Sequence, residues 1–327
     1  MKVLVTGAGG FVGRVLVSEL SAASHELVLL DRPGYSGDRT GSGGDAEFFG
    51  VDISDFESLS NIEISEADCV IHAAGLAHQF GKVTRDDFWR INVTGTENAA
   101  KLAARLGAKH FILISSVSVY GRGQEGDSLR TELTPCRPEG YYAQSKLESE
   151  VAAIKVCKEG GLELTILRLA TVIGEGDAGN VSRLIRAVDR KRFFWIGRGV
   201  NRKSLLYKRD AARACIAILD KKHKGTEIFN VSGEPAAMRD IVSYIEEALG
   251  KKALPGALPP GLLRAGFSVN SKTLGVGKIN RLGETVEKWL SDETFSAESI
   301  KRAYNFEAKT SIREAIEREV GWYVDNK

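Results

Sequence analysis

Tyr142 and Lys146 stand four residues apart in Tyr-Tyr-Ala-Gln-Ser-Lys. On a helix that spacing puts both side chains on one face. A free tyrosine, with a pKa of about 10, is a poor base at neutral pH. A neighbouring ammonium favours its phenolate. Such a tyrosine can take the proton of a carbinol while the same carbon gives up a hydride. The spacing alone is a weak signal, because Tyr323 and Lys327 repeat it at the C-terminus. Ser115-Ser116-Val117-Ser118-Val119-Tyr120-Gly121 adds hydroxyls that could hydrogen-bond the reacting oxygen and share its proton with Tyr142.

A departing hydride needs an acceptor. Thr6-Gly7-Ala8-Gly9-Gly10-Phe11-Val12-Gly13 lies between an apolar run and a helical pattern. Glycines in that setting allow a tight turn, a close backbone approach to a pyrophosphate, and close packing of helix on sheet. The following helix start offers free N–H groups and a partial positive charge. Gly7, Gly10, Phe11, Val12 and Gly13 are therefore the expected contacts of a dinucleotide. Asp31 ends the second apolar run, where a carboxylate can hold the adenosine ribose. It would repel a 2′-phosphate, which favours NAD. Arg32 beside it could pair with that phosphate and leaves NADP open. Asp52 and Ile53 follow a third presumed strand and are expected at the adenine. An oxidised nicotinamide would add a second positive charge beside Tyr142.

The elements that must position these residues are legible as alternation. Lys2–Thr6, Glu26–Leu30, Asp68–His72, Phe111–Ser115 and Leu162–Arg168 are apolar runs without polar alternation, as in strands buried on both faces. Val12–Leu20, Phe88–Leu106 and Tyr142–Glu159 carry helical patterns between them. Strand–helix alternation predicts an α/β fold, a doubly wound parallel sheet of Rossmann type, with a smaller mixed C-terminal substrate domain. Residues 1–174 and a returning segment of about 204–232 form the first unit, and 175–203 and 233–327 the second. Within these, Glu227–Val231 reads as a strand and Ala236–Leu249 as a helix. The five glycines of Gly34–Gly44 read as a surface loop.

The ordered set resembles the extended short-chain dehydrogenase/reductases, in particular the NAD-dependent nucleotide-sugar epimerase/dehydratase family. The resemblance rests on Thr-Gly-x-x-Gly-x-x-Gly at 6–13, Asp31, Asp52-Ile53, His72-Ala73-Ala74-Gly75, and Asn92 in Ile-Asn-Val-Thr-Gly-Thr. Ser116 before Tyr120-Gly121, and Tyr142-x-x-x-Lys146, complete it. It implies that Ser116, Tyr142 and Lys146 are the catalytic triad. It also implies that Ala73, Ala74, Gly75 and Ser115 run along the cofactor and that Asn92 supports the site. Leu167–Gly174 is similar to the family's strand-end segment beside the nicotinamide, with no single contact assigned.

The same resemblance narrows the reaction. Sugar 4,6-dehydratases carry Asp-Glu directly after the position of Ser116, where this chain has Val117 and Ser118. Dehydration and decarboxylation are thereby disfavoured. Hydride chemistry at one carbinol remains: 4-epimerisation or 4-keto reduction of a nucleotide-activated sugar. The rival enzyme reading is an NAD(P)-dependent reductase or dehydrogenase of a steroid-like or small carbonyl compound. A third is a non-enzymatic dinucleotide sensor, which would not need the Tyr–Lys pair. Asn180 matches a family asparagine at the nucleotide diphosphate. Residues 183–209 hold ten Lys or Arg and one acid, a basic patch suited to a diphosphate. Arg202 and Lys203 are its leading candidates, although the family usually has Arg at 203 and Asp-Asp where Arg209-Asp210 stands here. A homodimer through Phe88–Leu106 and Tyr142–Glu159 is the family expectation.

Composition limits the rest. The chain has 327 residues, 43% hydrophobic and 27% charged, with a net charge of +2. That balance argues against nucleic acid or a membrane as the main partner. The apolar stretch Ala253–Phe267 is interrupted by Pro255, Pro259 and Pro260. The strand begins at residue 2, so no signal peptide is expected. Four scattered cysteines and five histidines without ligand spacing predict no disulfide framework, no metal site and a cytoplasmic location.

Overall fold

The computed structural model of the chain describes residues 1–34, 46–77, 83–123, 129–219, 221, 224–254, 257–258 and 290–327. The expected glycine-rich loop lies almost wholly outside these residues, as does most of Ala253–Phe267. The first unit is a seven-stranded parallel sheet. Its strands are β1 (Lys2–Thr6), β2 (Glu26–Asp31), β3 (Glu47–Gly50), β4 (Cys69–His72), β5 (His110–Ser116), β6 (Glu163–Leu169) and β11 (Thr226–Val231). Their order is β11-β6-β5-β4-β1-β2-β3. The chain reverses direction across the sheet at β1, between β4 and β2, and a doubly wound sheet opens its ligand crevice at such a point.

Successive strand residues face opposite sides, because side chains alternate along a strand. Val3, Val5, Leu27 and Leu29 pack with Leu16 and Leu20 of α1 (Phe11–Ala22) and with Ala211–Leu219 of α7 (Lys208–Leu219). Leu4, Val28 and Leu30 pack on the other side with Ala99–Ala103 of α4 (Gly95–Arg105) and Ala153–Cys157 of α5 (Gly140–Gly160). That double burial is why these strands read as unbroken apolar runs. A third core gathers Ile173 of β7 (Thr171–Ile173), Val181–Val188 of α6 (Asn180–Asp189), and Ile241–Ile245 of α8 (Met238–Leu249). Ala315–Val320 of the last helix, Ile312–Asp325, complete it.

Three expectations change. The helix expected over Phe88–Leu106 begins at Arg85 and opens into a wide π turn over Trp89–Thr94 before α4. The segment 290–308, expected in the second unit, packs on the sheet: Phe295, Ile300, Tyr304 and Phe306 share a core with Val3 and Leu16. The helix expected over Ala236–Leu249 starts two residues later, after the short strand β12 (Ala236–Ala237). β12 pairs antiparallel with β9 (Arg202–Lys203).

Candidate functional site

The glycine-rich turn hangs on the end of β2, where Leu30 O accepts from Gly7 N at 2.8 Å and Ala8 N at 3.2 Å. Gly7 has φ +68°, and a Cβ there would lie 2.6 Å from Ala74 Cα. Only glycine lets this turn rest on the backbone after β4. A Cβ on Gly13 would overlap Gly7 O, so glycine also lets α1 start against the turn. Gly10 precedes α1 with no capping side chain, and no acid occupies the first turn. The helix start, with Phe11 and Val12 its first residues, is thus left to an anionic ligand. Asp31 reaches the same turn: its Oδ2 accepts from Gly9 N and its Oδ1 from Arg32 N, both at 2.7 Å. Asp52 accepts from Ser54 and pairs with Arg90 at 3.0 Å. Ile53 lies under Gly95, at the start of α4. These residues form one continuous edge fit for a dinucleotide.

His72 ties this edge together. It is buried, with Nδ1 bonded to Thr6 Oγ1 at 2.6 Å and Nε2 to Thr96 Oγ1 at 3.0 Å. Burial, helped by the Lys146 charge, pushes its pKa down to about 3, so it stays neutral. Ala73, Ala74 and Gly75 continue from it along the glycine turn. Asn92, inside the π turn, clamps their far end. Its Oδ1 accepts from Leu76 N at 2.6 Å, and its Nδ2 donates to Leu76 O at 3.1 Å and Ser145 Oγ at 2.9 Å. Ser145 in turn donates to Tyr142 O. Asn92 therefore connects the cofactor edge to the first turns of α5.

Tyr142 and Lys146 share a face of α5, and Ser116 ends β5 beside them. The Tyr142 hydroxyl is hydrogen-bonded to Ser116. Burial raises the Tyr142 pKa, and the Ser116 bond offsets it in part. Lys146 is 7% exposed and donates to Ile114 O at 2.6 Å. Burial lowers its pKa to about 8, with Glu150 pulling the other way. The structure thus brings together Ser116, Tyr142 and Lys146 at the carboxyl edge of the sheet. Ser115 differs from expectation: it faces inward, 3% exposed, and its hydroxyl donates to Glu150. Ser118 Oγ is enclosed and has no hydrogen-bond partner.

Beneath this pair lies a buried network that sequence reasoning missed. Glu150, one turn past Lys146, takes Arg168 Nη2 at 2.7 Å and Nε at 3.1 Å. Arg168 Nη1 donates to Tyr120 Oη, which donates to Asn230 Oδ1 at 2.7 Å. An arginine inside an apolar strand run was the available signal, since a buried cation needs a buried partner.

The substrate end departs from a single basic patch. Lys203 pairs with Glu293 at 3.1 Å, Lys208 with Glu175 at 3.1 Å, and Arg209 with Glu19 at 2.8 Å. Carboxylates far away in sequence therefore take up much of the local charge. Arg202 is exposed, donates to Pro235 O at 2.8 Å, and lines a cavity of about 220 Å³ with Leu129, Glu234 and Thr294. Asn180 is exposed at the first position of α6, whose start is held by the Asp177 carboxylate on Gly179 N and Ser182 N.

Residues 3–232 match the model of the NAD dependent epimerase/dehydratase family. One curated relative is the N-acetyl-alpha-D-glucosaminyl-diphospho-ditrans,octacis-undecaprenol 4-epimerase of Escherichia coli O157:H7. It is 27% identical over 325 residues, covering 97% of this chain and 93% of the relative. The UDP-glucose 4-epimerase of Vibrio cholerae is 29% identical and covers 76% of each chain. Among solved structures, UDP-glucuronic acid 4-epimerase from Bacillus cereus in complex with NAD superposes with a TM-score of 0.76. It is 24% identical and covers 100% of this chain and 99% of its own. With more than two thirds of its length inside the family match, and with that match spanning the sheet and the edge around Tyr142, this chain belongs to the NAD dependent epimerase/dehydratase family.

Proposed function

We propose that this chain is an NAD-dependent 4-epimerase of a nucleotide-activated sugar, in which Ser116, Tyr142 and Lys146 carry the proton chemistry. The observation that carries the reading is the placement of a Ser116-bonded Tyr142, with Lys146 one turn on, beside a glycine turn that can approach a pyrophosphate. Bound NAD would accept the C4 hydride and return it. The chain's own residues do the remainder. Gly7, Gly10 and Gly13 with the start of α1 seat the pyrophosphate, and Asp31 holds the ribose. Ser116 orients the C4 hydroxyl. Tyr142 Oη takes its proton, and gives a proton back to the same oxygen after the 4-keto sugar has turned over. Lys146 is charged below its pKa of about 8 and favours the phenolate. In this reading Arg202 and Asn180 bind the diphosphate. The 4-epimerase names of the Escherichia coli and Vibrio relatives support this reaction.

The reading includes a division at 174, with 204–232 and 290–308 returning to the sheet, and a homodimer in the cytoplasm. Val151, 55% exposed on α5, is an apolar residue that pairing through this helix would cover. The test is direct. The purified protein is analysed for retained NAD by mass spectrometry, then offered UDP-, GDP- and dTDP-sugars. Interconversion of 4-epimers without net NADH supports the reading. Stoichiometric oxidation or formation of NADH identifies a 4-ketoreductase or dehydrogenase instead. No turnover of any nucleotide sugar overturns the substrate class.

A further inference from the structure

The basic run of residues 183–209 is not one surface. Of its later members, Lys203, Lys208 and Arg209 are neutralised by carboxylates. Arg190, Lys191, Arg192 and Arg198 are exposed, and no carboxylate among the described residues lies in ion-pair range of them. Lys252 is exposed and unpaired in the same way. The nearby acid, Asp189, is already shared by Lys251 at 2.6 Å and Lys327 at 2.9 Å. Some exposed cations elsewhere are paired, as Arg90 with Asp52, Lys101 with Glu97, Arg313 with Glu247 and Arg318 with Glu314, while others such as Arg14, Lys109 and Lys155 have no ion pair among the described residues.

Large apolar side chains stand among these five cations. Phe194 is 48% exposed, Val200 45% and Leu254 42%. The two sets belong to one rim. Arg192, Phe194 and Gly199 line the same cavity of about 160 Å³. Ala257, three residues after Leu254, pairs with Trp195. Ala253 packs in the same core as Ala187 and Trp195. Single exposed apolar residues are ordinary on a protein surface. Three of them interleaved with five cations that have no ion pair among the described residues make an amphipathic, positively charged rim, the composition that favours a charged lipid–water interface.

We propose that this rim docks the protein reversibly on an anionic phospholipid surface. The cations meet the headgroups, and Phe194, Val200 and Leu254 enter the boundary of the acyl region. A helix that crosses the bilayer is not needed, and no helix among the described residues is long and apolar enough to do so. The inference stands apart from the sugar chemistry, because vesicle binding is measured without substrate.

The test is co-sedimentation of the full chain with vesicles of phosphatidylcholine, with and without phosphatidylglycerol, at low and high salt. Each cation near an anionic leaflet is worth about a fivefold change in binding. K191E/R198E should therefore bind the anionic vesicles at least about 30-fold more weakly. L254S should lose several-fold while keeping the salt dependence. K109E/K224E, an equal change of charge at exposed positions just before β5 and β11, should bind like the parent. Thermal unfolding confirms that each variant is folded. Equal binding to neutral and anionic vesicles, or none to either, overturns the proposal. So does an equal loss in K109E/K224E. If short duplex DNA displaces the vesicles and L254S binds DNA and vesicles as the parent does, the rim is a general polyanion site, and the lipid assignment is wrong.

Discussion

Two carboxylates are buried behind the two carboxyl edges of this molecule, and they are held in opposite ways. Glu150, 2% exposed, sits below the Tyr142–Lys146 face and receives Arg168 through two nitrogens, with Ser115 as a further donor. Burial works against the Arg168 charge, and the Glu150 carboxylate more than restores it. Glu319, 1% exposed, sits below β7. Its Oε2 accepts from Gly174 N at 3.2 Å, and its Oε1 has no partner. Its charged neighbours are Asp177 and Glu175, and Lys208, which acts the other way, is itself paired with Glu175. Burial, reinforced by Asp177, raises its pKa to about 8. Equal burial thus yields an ion pair in one place and a neutral acid in the other. The counter-charge decides, because a carboxylate leaving water keeps its charge only when a cation and donors come with it.

The largest expected effect comes from breaking the first arrangement. Arg168→Met keeps much of the side-chain volume and leaves the Glu150 charge buried alone. It should cost about 3–5 kcal/mol of stability, read from urea unfolding. Adding Glu150→Gln to it should restore most of that loss, since an uncompensated charge is what costs. A loss below about 1 kcal/mol for Arg168→Met would show that water or local movement neutralises Glu150. In that case the contrast with Glu319 would vanish.

Tyr142→Phe tests what the first arrangement supports. The fold should move by no more than about 1 kcal/mol, the net value of the Ser116 bond. Turnover of the nucleotide sugar should fall at least about a hundredfold, the scale of a positioned acid–base group. Turnover within a few-fold of the parent would remove Tyr142 from the proton path.

Glu319 makes a prediction of opposite sign. Its folded pKa is raised, so the native state holds a proton that the unfolded chain releases above about 4.5. The contribution of Glu319 to stability is full below that pH and is lost as the pH rises towards about 8. Glu319→Gln mimics the neutral acid and removes the slope. At pH 5 the variant and parent should unfold alike. At pH 9 the variant should be more stable by about 1–3 kcal/mol, roughly 2–4 °C in Tm for each kcal/mol. A variant less stable than the parent at pH 9 would mean that the fold holds Glu319 ionised.

What was legible in the sequence follows the same division between local and distant causes. Runs such as Leu27–Leu30 are strands because both faces are buried, and the run itself says so. Gly7 was legible because its strained turn falls at a fixed offset from β1. The π turn at Trp89–Thr94 was not. It accompanies the contacts of Asn92 with Leu76 and of Gly95 with Ile53, which exist only after the chain has folded. The neutralisation of Lys203 by Glu293 spans 90 residues and leaves no local trace. Phe295 and Ile300 carry an ordinary apolar pattern, and nothing in it says which of two cores they join. Glu150 and Arg168 lay in plain view, one on α5 and one in an apolar strand, and only their meeting explains either.

Asp31 offers a finer version of the same question, since it is a carboxylate held by backbone N–H groups alone. Gly9 N and Arg32 N each reach it at 2.7 Å, so it can serve the turn as a hydrogen-bond acceptor, the cofactor as a charge, or both. Asp31→Asn separates the two roles. The amide oxygen can still accept from Gly9 N, while the charge that repels a 2′-phosphate is gone. Arg32, next in sequence, could then pair with that phosphate. If charge is the discriminator, Asp31→Asn and Asp31→Ala should narrow the NAD over NADP preference alike, by about tenfold, or one charged hydrogen bond of about 1.5 kcal/mol. If Asp31 instead only shapes the turn, Asp31→Ala should weaken both cofactors together and Asp31→Asn neither. Titration of the two cofactors by intrinsic fluorescence distinguishes these outcomes. The first would make Asp31 a third type of carboxylate in this fold, half in water and charged, with its ionisation spent on a ligand rather than on stability.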